Sequence, residues 1–160
     1  MKLYIVRHGQ AASSDVDPAR GLTEEGRAEA QKVAEFLRPL KIVVGCVWHS
    51  GKLRAAQTAE ILSEAVTVKE GVGAHAGLGP NDKVSPIRDQ IESAGQDVMI
   101  VGHLPFVGRL AALLLTGSDS ACPIAFKEVG IVCLDHPTQD HWQIEWMIVP
   151  ELILLKGEML

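Results

Sequence analysis

Leu3-Tyr4-Ile5-Val6-Arg7-His8-Gly9 opens the chain with an apolar run that ends in a cation, an imidazole and a glycine. Residues 2–6 read as a first strand, and the polar trio stands at its carboxyl end. In an open α/β sheet, ligands bind just beyond the carboxyl ends of the strands. This strand therefore delivers three tools to that place. The Arg7 guanidinium is a planar fork that matches phosphate oxygens. The neutral His8 imidazole can attack phosphorus and form a covalent intermediate. Gly9 lets the backbone pass close to a small anion. Taken alone, the tripeptide is equally compatible with a surface arginine and a structural histidine.

Outward from this run, strand-like and helical patterns alternate. Thr23 reads as the N-cap of a first helix, with Glu24 and Glu25 where the helix dipole favours anions. Ala30, Val33, Ala34 and Leu37 follow at helical spacing, and Pro39 stops that helix. Residues 42–48 form a second, continuously apolar strand, as expected for a sheet covered on both faces. The spacing predicts a second helix over 52–65, a short third strand over 66–68 and an aperiodic glycine-rich loop over 71–80. A third helix is expected over 81–92, with Val84, Ile87 and Ile91 facing inward. Residues 98–101 give a fourth strand ending in Gly102-His103. Pro105 then suits the first turn of a fourth helix carrying Val107, Leu110, Ala111 and Leu114. Residues 129–134 and 142–149 read as a closing pair of strands joined by a turn over 136–140. The expected fold is a three-layer α/β/α domain, with a mainly parallel sheet and an antiparallel C-terminal edge. No repeat, low-complexity tract or linker divides the sequence, so residues 1–160 are expected to form one domain.

The composition is near the globular average, 47% hydrophobic and 22% charged, which makes disorder a poor default. A net charge of −5 and a pI of about 5.6 argue against nucleic acid as the partner. An acidic chain that binds phosphate must concentrate its arginines locally. The three cysteines, Cys46, Cys122 and Cys133, include no Cys-x-x-Cys pair, which disfavours a disulfide framework or a zinc ribbon. Cys46 and Cys133 read as small core residues. The chain shows neither a signal-peptide pattern nor an apolar run of the ~18 residues that span a bilayer. No membrane association and a cytoplasmic location are expected.

Three polar segments fall at equivalent places. Arg7 and His8 follow the first strand, Arg54 lies early in the helix after the second, and His103 follows the fourth. Parallel strands put their carboxyl ends on one rim, so the segments can converge. Arg7, Arg54 and His103 would hold the oxygens of a phosphoryl group while His8 attacks in line, so that catalysis rests on positioning and electrostatics. The helix amino terminus around residues 50–52 would add backbone donors. Each residue also has a plainer reading: Arg54 as a solvated charge, His103 as a helix cap, Lys52 as an exposed cation. His49, His75, His136 and His141 have no assignable partner, and Trp142 and Trp146 read as packing residues.

The segments Leu3-Tyr4-Ile5-Val6-Arg7-His8-Gly9, Leu22-Thr23-Glu24-Glu25-Gly26 with Ala30-Gln31, Ser50-Gly51-Lys52-Leu53-Arg54-Ala55-Ala56-Gln57-Thr58-Ala59 and Val101-Gly102-His103 resemble, in this order, the histidine phosphatase superfamily. Gly102-His103-Leu104-Pro105-Phe106-Val107-Gly108, the short length and the closing segment look most like its SixA-type phosphohistidine phosphatases. The resemblance covers nearly the whole chain and is weakest over residues 66–97. It implies a phosphoglycerate mutase-like fold, His8 as the phosphorylated nucleophile, and Arg7, Arg54 and His103 as phosphoryl-binding residues, beside Gly9. It also implies no metal or organic cofactor. The family's Ser-Pro before the second arginine is Ser50-Gly51 here, which predicts a looser turn.

Larger mutase-like members carry a general acid mid-chain, whereas residues 71–82 offer no carboxylate in a recognisable motif. Asp82 is the nearest candidate, and the start of the third helix explains it as well. A site without a positioned acid should favour N–P over O–P bonds, because free imidazole, with a pKa of roughly 6.5, leaves far more readily than an alkoxide. The expected substrate is therefore phosphohistidine on a protein partner such as a phosphorelay domain, with phosphate and other oxyanions binding in the same place. A phosphomonoesterase for a small metabolite and a non-catalytic phosphoprotein-binding module are the alternatives.

Overall fold

The computed structural model describes residues 1–121, 124–138 and 141–154. The apolar runs form strands and the amphipathic segments form helices between them. In chain order these are β1 (Lys2–Arg7), α1 (Glu24–Leu37), β2 (Val43–His49), α2 (Leu53–Ser63), β3 (Thr67–Ala74), α3 (Ser85–Ala94), β4 (Val98–Gly102), α4 (Phe106–Thr116), β5 (Ile131–Thr138) and β6 (His141–Ile148). The six strands make one sheet in the order β3-β2-β4-β1-β5-β6. The β3-β2, β2-β4 and β4-β1 pairs are parallel, while β1-β5 and β5-β6 are antiparallel. The three-layer α/β/α fold with its antiparallel C-terminal edge is thus the architecture expected from the sequence.

Alternation along the strands explains the layers, since successive side chains point to opposite faces. Tyr4, Val6, Met99 and Val101 join the core under α1 and α2. Leu3, Ile5, Val98 and Ile100 join the core under α3 and α4. All five residues of β4 are buried, as befits a central parallel strand. Cys46 and Cys133 are buried free thiols, and Cys122 lies outside the described residues. No helix among the described residues is long and apolar enough to cross a membrane.

α1 begins where expected. Thr23 is its N-cap, and its hydroxyl accepts from the Gly26 backbone N–H. Gly26 is a contact requirement, because a Cβ there would stand 2.2 Å from the Gln10 carbonyl oxygen. The first turn of α1 is thereby packed onto the loop that leaves His8. α1 ends at Leu37, before Pro39 as expected, and the chain makes one 3-10 turn, Arg38–Leu40, before Lys41 takes a left-handed conformation.

Three expectations need correction. The third strand is Thr67–Ala74, not 66–68, so the first part of the predicted 71–80 loop is an edge strand. Its glycines disfavour strand structure, but the parallel ladder to β2 overrides that preference. Gly71, at a φ of 129°, takes up the register shift between Val44↔Val68 and Cys46↔Gly71. α3 starts at Ser85 rather than 81. Asp82 does not cap it; its carboxylate instead accepts the Gly79 N–H at 2.7 Å and closes a turn. β5 starts at Ile131 rather than 129 and runs on to Thr138, so that His136, Pro137 and Thr138 lie in it, whereas β6 is only shifted by one residue from the expected 142–149. The remaining turn residues, Gln139 and Asp140, are outside the described residues.

Candidate active site

Register brings the first and third motifs together. In the parallel β1-β4 pair, Arg7 stands opposite Gly102. The next residue, His8, donates its backbone N–H to the Gly102 carbonyl at 2.9 Å, one residue before His103. The two imidazoles consequently face each other with ring centroids 4.9 Å apart. β2 ends level with them, since His49 stands opposite Val101 of β4. The loop after β2 therefore emerges beside His103.

The local contacts give His8 a defined tautomer. Its Nδ1 lies 2.7 Å from the Gly9 carbonyl oxygen. A carbonyl only accepts, so Nδ1 carries the proton and donates it. Nε2 is left with its lone pair. Burial pushes the His8 pKa down to about 4, partly countered by the bond to Gly9 and reinforced by Arg54, Arg7 and Arg20. His8 is thus a neutral imidazole at pH 7, which is the nucleophilic form.

His103 is 2% exposed. Its Nε2 pairs with the Ser50 hydroxyl at 2.6 Å, while its Nδ1 is buried without a protein partner. Burial, with His8, Arg54, Lys52 and Arg20 adding to it, lowers its pKa to about 3. Folded, both imidazoles remain neutral; unfolded, both would take up protons near pH 6.5. Between about pH 6.5 and 4 the unfolded chain thus binds more protons at these positions, and their contribution to stability falls as pH falls. The expected NMR titration shows neither His8 nor His103 protonating above about pH 5. An imidazole of either residue titrating near 6.5 in the folded chain would contradict the burial argument.

Two guanidinium groups flank the imidazoles. Arg7 Nη1 donates to the Phe126 carbonyl at 3.0 Å, and Arg7 Nε is buried without a partner. Arg54, in the first turn of α2, likewise buries an unpartnered Nε. Burial, followed by the neighbouring Arg20, pushes the Arg54 guanidinium below its usual range. Thr58, fully buried, ties the segments together: its hydroxyl donates to the Arg54 carbonyl at 2.7 Å and accepts the Gly9 N–H at 3.0 Å. Gly9 therefore gives its N–H to Thr58 and its carbonyl to His8. A Cβ at position 9 would press within 3.1–3.3 Å of Leu22, Val129 and Gly26. This close packing is a physical reason for glycine different from the expected approach to an anion.

Arg20 and Ser50 are the residues that sequence reasoning missed. Arg20 sits at the tip of a loop built on Asp17, whose carboxylate accepts from Ala19 and Gly21. Gly21 packs against Leu53 and Gln57 on either side of Arg54 in the chain, which brings Arg20 to the same rim. The turn over 49–52 is well braced rather than loose. Gly51 adopts a φ of 88°, a conformation that favours glycine, and donates its N–H to His49 Nδ1 at 3.0 Å. A proline could not make that bond. His75 stacks on Trp48 and pairs with Gln90, and His136 stacks on Trp142. Among the described residues, no group of three or more His, Cys, Asp or Glu side chains is arranged to hold a metal ion.

His8 Nε2 and His103 Nδ1 thus meet in a pair of facing rings, with the charges of Arg54 and Arg7 acting on His8, and each arginine buries an Nε without a protein partner. Two neutral imidazoles among guanidinium groups suit a small anion with several oxygens. Residues 3–78 match the model of the histidine phosphatase superfamily (branch 1). An uncharacterized protein of Picosynechococcus sp. strain PCC 7002 is 33% identical over 145 residues, covering 84% of each chain.

The chain belongs to the histidine phosphatase superfamily.

Within this superfamily it is similar to the phosphohistidine phosphatase SixA of Escherichia coli K12, at 27% identity over 155 residues and 94% of each chain. The solved structure of the protein histidine phosphatase SixA complexed with tungstate superposes with a TM-score of 0.82, at 27% identity, covering 94% of this chain and 97% of that one. The superfamily fold extends to the alpha-ribazole phosphatase of Shigella flexneri, with a TM-score of 0.73, 16% identity and coverage of 94% and 97%. That last likeness concerns the fold alone.

Proposed function

We propose that this chain hydrolyses phosphohistidine on a protein partner, such as a phosphorelay domain, through a phosphorylated His8. The observation that carries the reading is the fixed His8 tautomer, with Nδ1–H held by the Gly9 carbonyl and Nε2 free beside His103. His8 Nε2 attacks phosphorus, the N–P bond to the substrate breaks as a new N–P bond forms, and the substrate imidazole departs neutral after its ring is protonated. Water then attacks the phosphorus of phospho-His8, releases orthophosphate and restores the imidazole. Arg7, Arg54 and His103 hold the phosphoryl oxygens throughout, and Gly9 orients the nucleophile. The guanidinium groups supply the charge neutralisation, so the reaction needs no metal or cofactor. Tungstate is a tetrahedral oxyanion, and its complex with SixA supports oxyanion binding by a protein of this fold. A phosphorelay partner implies work in the cytoplasm.

The test is phosphate release from a phosphohistidine-bearing phosphorelay domain, set against a panel of alkyl and aryl phosphates. Turnover of the protein substrate supports the reading; efficient turnover of sugar phosphates alone would replace it with a metabolite phosphatase. Binding of the phosphorylated domain without any single-turnover release would indicate a non-catalytic module.

Arg54 gives a separate check. Lysine keeps the charge but loses the fork. Arg54→Lys is expected to lower kcat/KM about tenfold or more, equivalent to ~1.4 kcal/mol of transition-state stabilisation. Unchanged kinetics would show that this side chain does not grip the phosphoryl group.

A further inference from the structure

We propose that Ser50 is a positioning residue that holds His103 in its Nδ1–H tautomer and so turns a neutral imidazole into a phosphoryl-oxygen donor. The inference rests on the reading of this rim as a phosphoryl-transfer site, and it concerns a residue on which the reaction scheme itself makes no demand.

The direction of each hydrogen bond follows from the inventory of donors. The Lys52 backbone N–H, which can only donate, points to Ser50 Oγ at 3.3 Å. The hydroxyl accepts that bond and has one hydrogen to give. Its remaining partner is His103 Nε2 at 2.6 Å. Within the protein, His103 Nε2 is the acceptor this hydrogen reaches, so donation from Ser50 to Nε2 satisfies it and places the single proton of the neutral ring on Nδ1. In the opposite tautomer, Nε2–H would donate to the second lone pair of Ser50, the serine hydrogen would have no protein acceptor, and Nδ1 would present a lone pair. A lone pair beside an anionic oxygen repels it, whereas N–H attracts it. Nδ1 is the buried His103 atom with no protein partner, in a ring facing that of His8. The relay thus runs from the Lys52 N–H through the Ser50 hydroxyl and the His103 ring to the phosphoryl oxygen.

The geometry of the turn supports this. Gly51, with its left-handed φ and its N–H anchored on His49, fixes the backbone around Ser50. His49 stands opposite Val101, so the strand ends that set the His8–His103 approach also set the Ser50–His103 distance.

The experiment compares wild type, Ser50→Ala and Ser50→Thr. Imidazole nitrogen NMR of the resting enzyme reads the His103 tautomer without any substrate. Wild type and Ser50→Thr are expected in the Nδ1–H form, and Ser50→Ala in a mixture or the Nε2–H form. On any substrate the enzyme turns over, Ser50→Ala should lose about tenfold in kcat with a smaller change in KM, and Ser50→Thr should recover most of it. A wild-type His103 in the Nε2–H form overturns the proposal. So does Ser50→Ala with both wild-type kcat and an unchanged tautomer. If no phosphorylated substrate is turned over by wild type, the functional reading fails, while the tautomer measurement still decides the role of Ser50.

Discussion

His8→Ala is expected to abolish turnover, by about four orders of magnitude or more, on the scale seen when an enzyme's nucleophile is removed. The same substitution should leave the fold intact. The His8 ring makes one hydrogen bond, to its own neighbour Gly9, and the strand is held by the His8 backbone N–H on Gly102, which alanine keeps. The stability cost is about 1 kcal/mol, the worth of one such bond. Acid quench is the wrong trap for the intermediate, since N–P bonds are acid-labile. Rapid alkaline quench after mixing with labelled substrate should recover label on wild-type protein, lost on later acid treatment, and no label on the alanine variant. Turnover by a folded His8→Ala protein would remove the imidazole from the chemistry.

The second large effect concerns the leaving group. Besides the effect of His8 on His103, the side chains that lower the two imidazole pKa values are Arg54, Arg7 and Arg20 around His8 and Arg54, Lys52 and Arg20 around His103, all cationic. Asp82, the mid-chain carboxylate nearest to the expected general-acid position in sequence, is engaged in closing the Gly79 turn. Where no proton donor is positioned, an alkyl phosphate must expel an alkoxide. Phosphohistidine expels neutral imidazole once its ring is protonated, and nitrophenyl phosphate expels a weakly basic phenolate. The expected order of kcat/KM is phosphohistidine or phosphoramidate, then nitrophenyl phosphate, then alkyl esters. The span should be about 10²–10⁴-fold, which is what a general acid contributes when present. Asp82→Asn should change phosphohistidine turnover little. Good activity on alkyl esters, with a large loss in Asp82→Asn, would instead favour the small-metabolite phosphomonoesterase.

How far the sequence was readable depended on what each element was made of. β1 and β4 are apolar runs ending in polar residues, so both their position and the convergence of His8 with His103 followed from parallel pairing. Thr23 announced α1 because its side chain does the capping itself. β3 was lost from Gly71 onward because its glycines carry no strand preference; only the ladder to β2 makes that segment a strand. α3 was placed early because Asp82 closes a turn with chemistry that also suits a cap. At the site, Arg54 was legible as a motif, but Arg20 was one exposed cation in a polar loop until Gly21 was seen against Leu53 and Gln57. Ser50 was read for its place before a helix. Its contact with His103 spans 53 residues and depends on three strands ending level, which no local pattern encodes.

That levelling of strand ends divides the chain into parts with very different tolerance to insertion and deletion. Removing one residue from β1 or β4 would move every side chain beyond it to the opposite face of the sheet. It would force the apolar residues of each core layer into the opposite one and carry one histidine away from the other in the same event, so core and chemistry fail together. The segments that leave the strand ends are not bound in this way. Residues 10–22 and 75–84 lie outside the ladders and flank the reactive rim, and a change in their length leaves the pairing of Arg7 with Gly102 untouched. Substrate range can therefore drift through these two segments over evolutionary time, or be altered by design, while the spacing of the reacting groups stays where the sheet puts it.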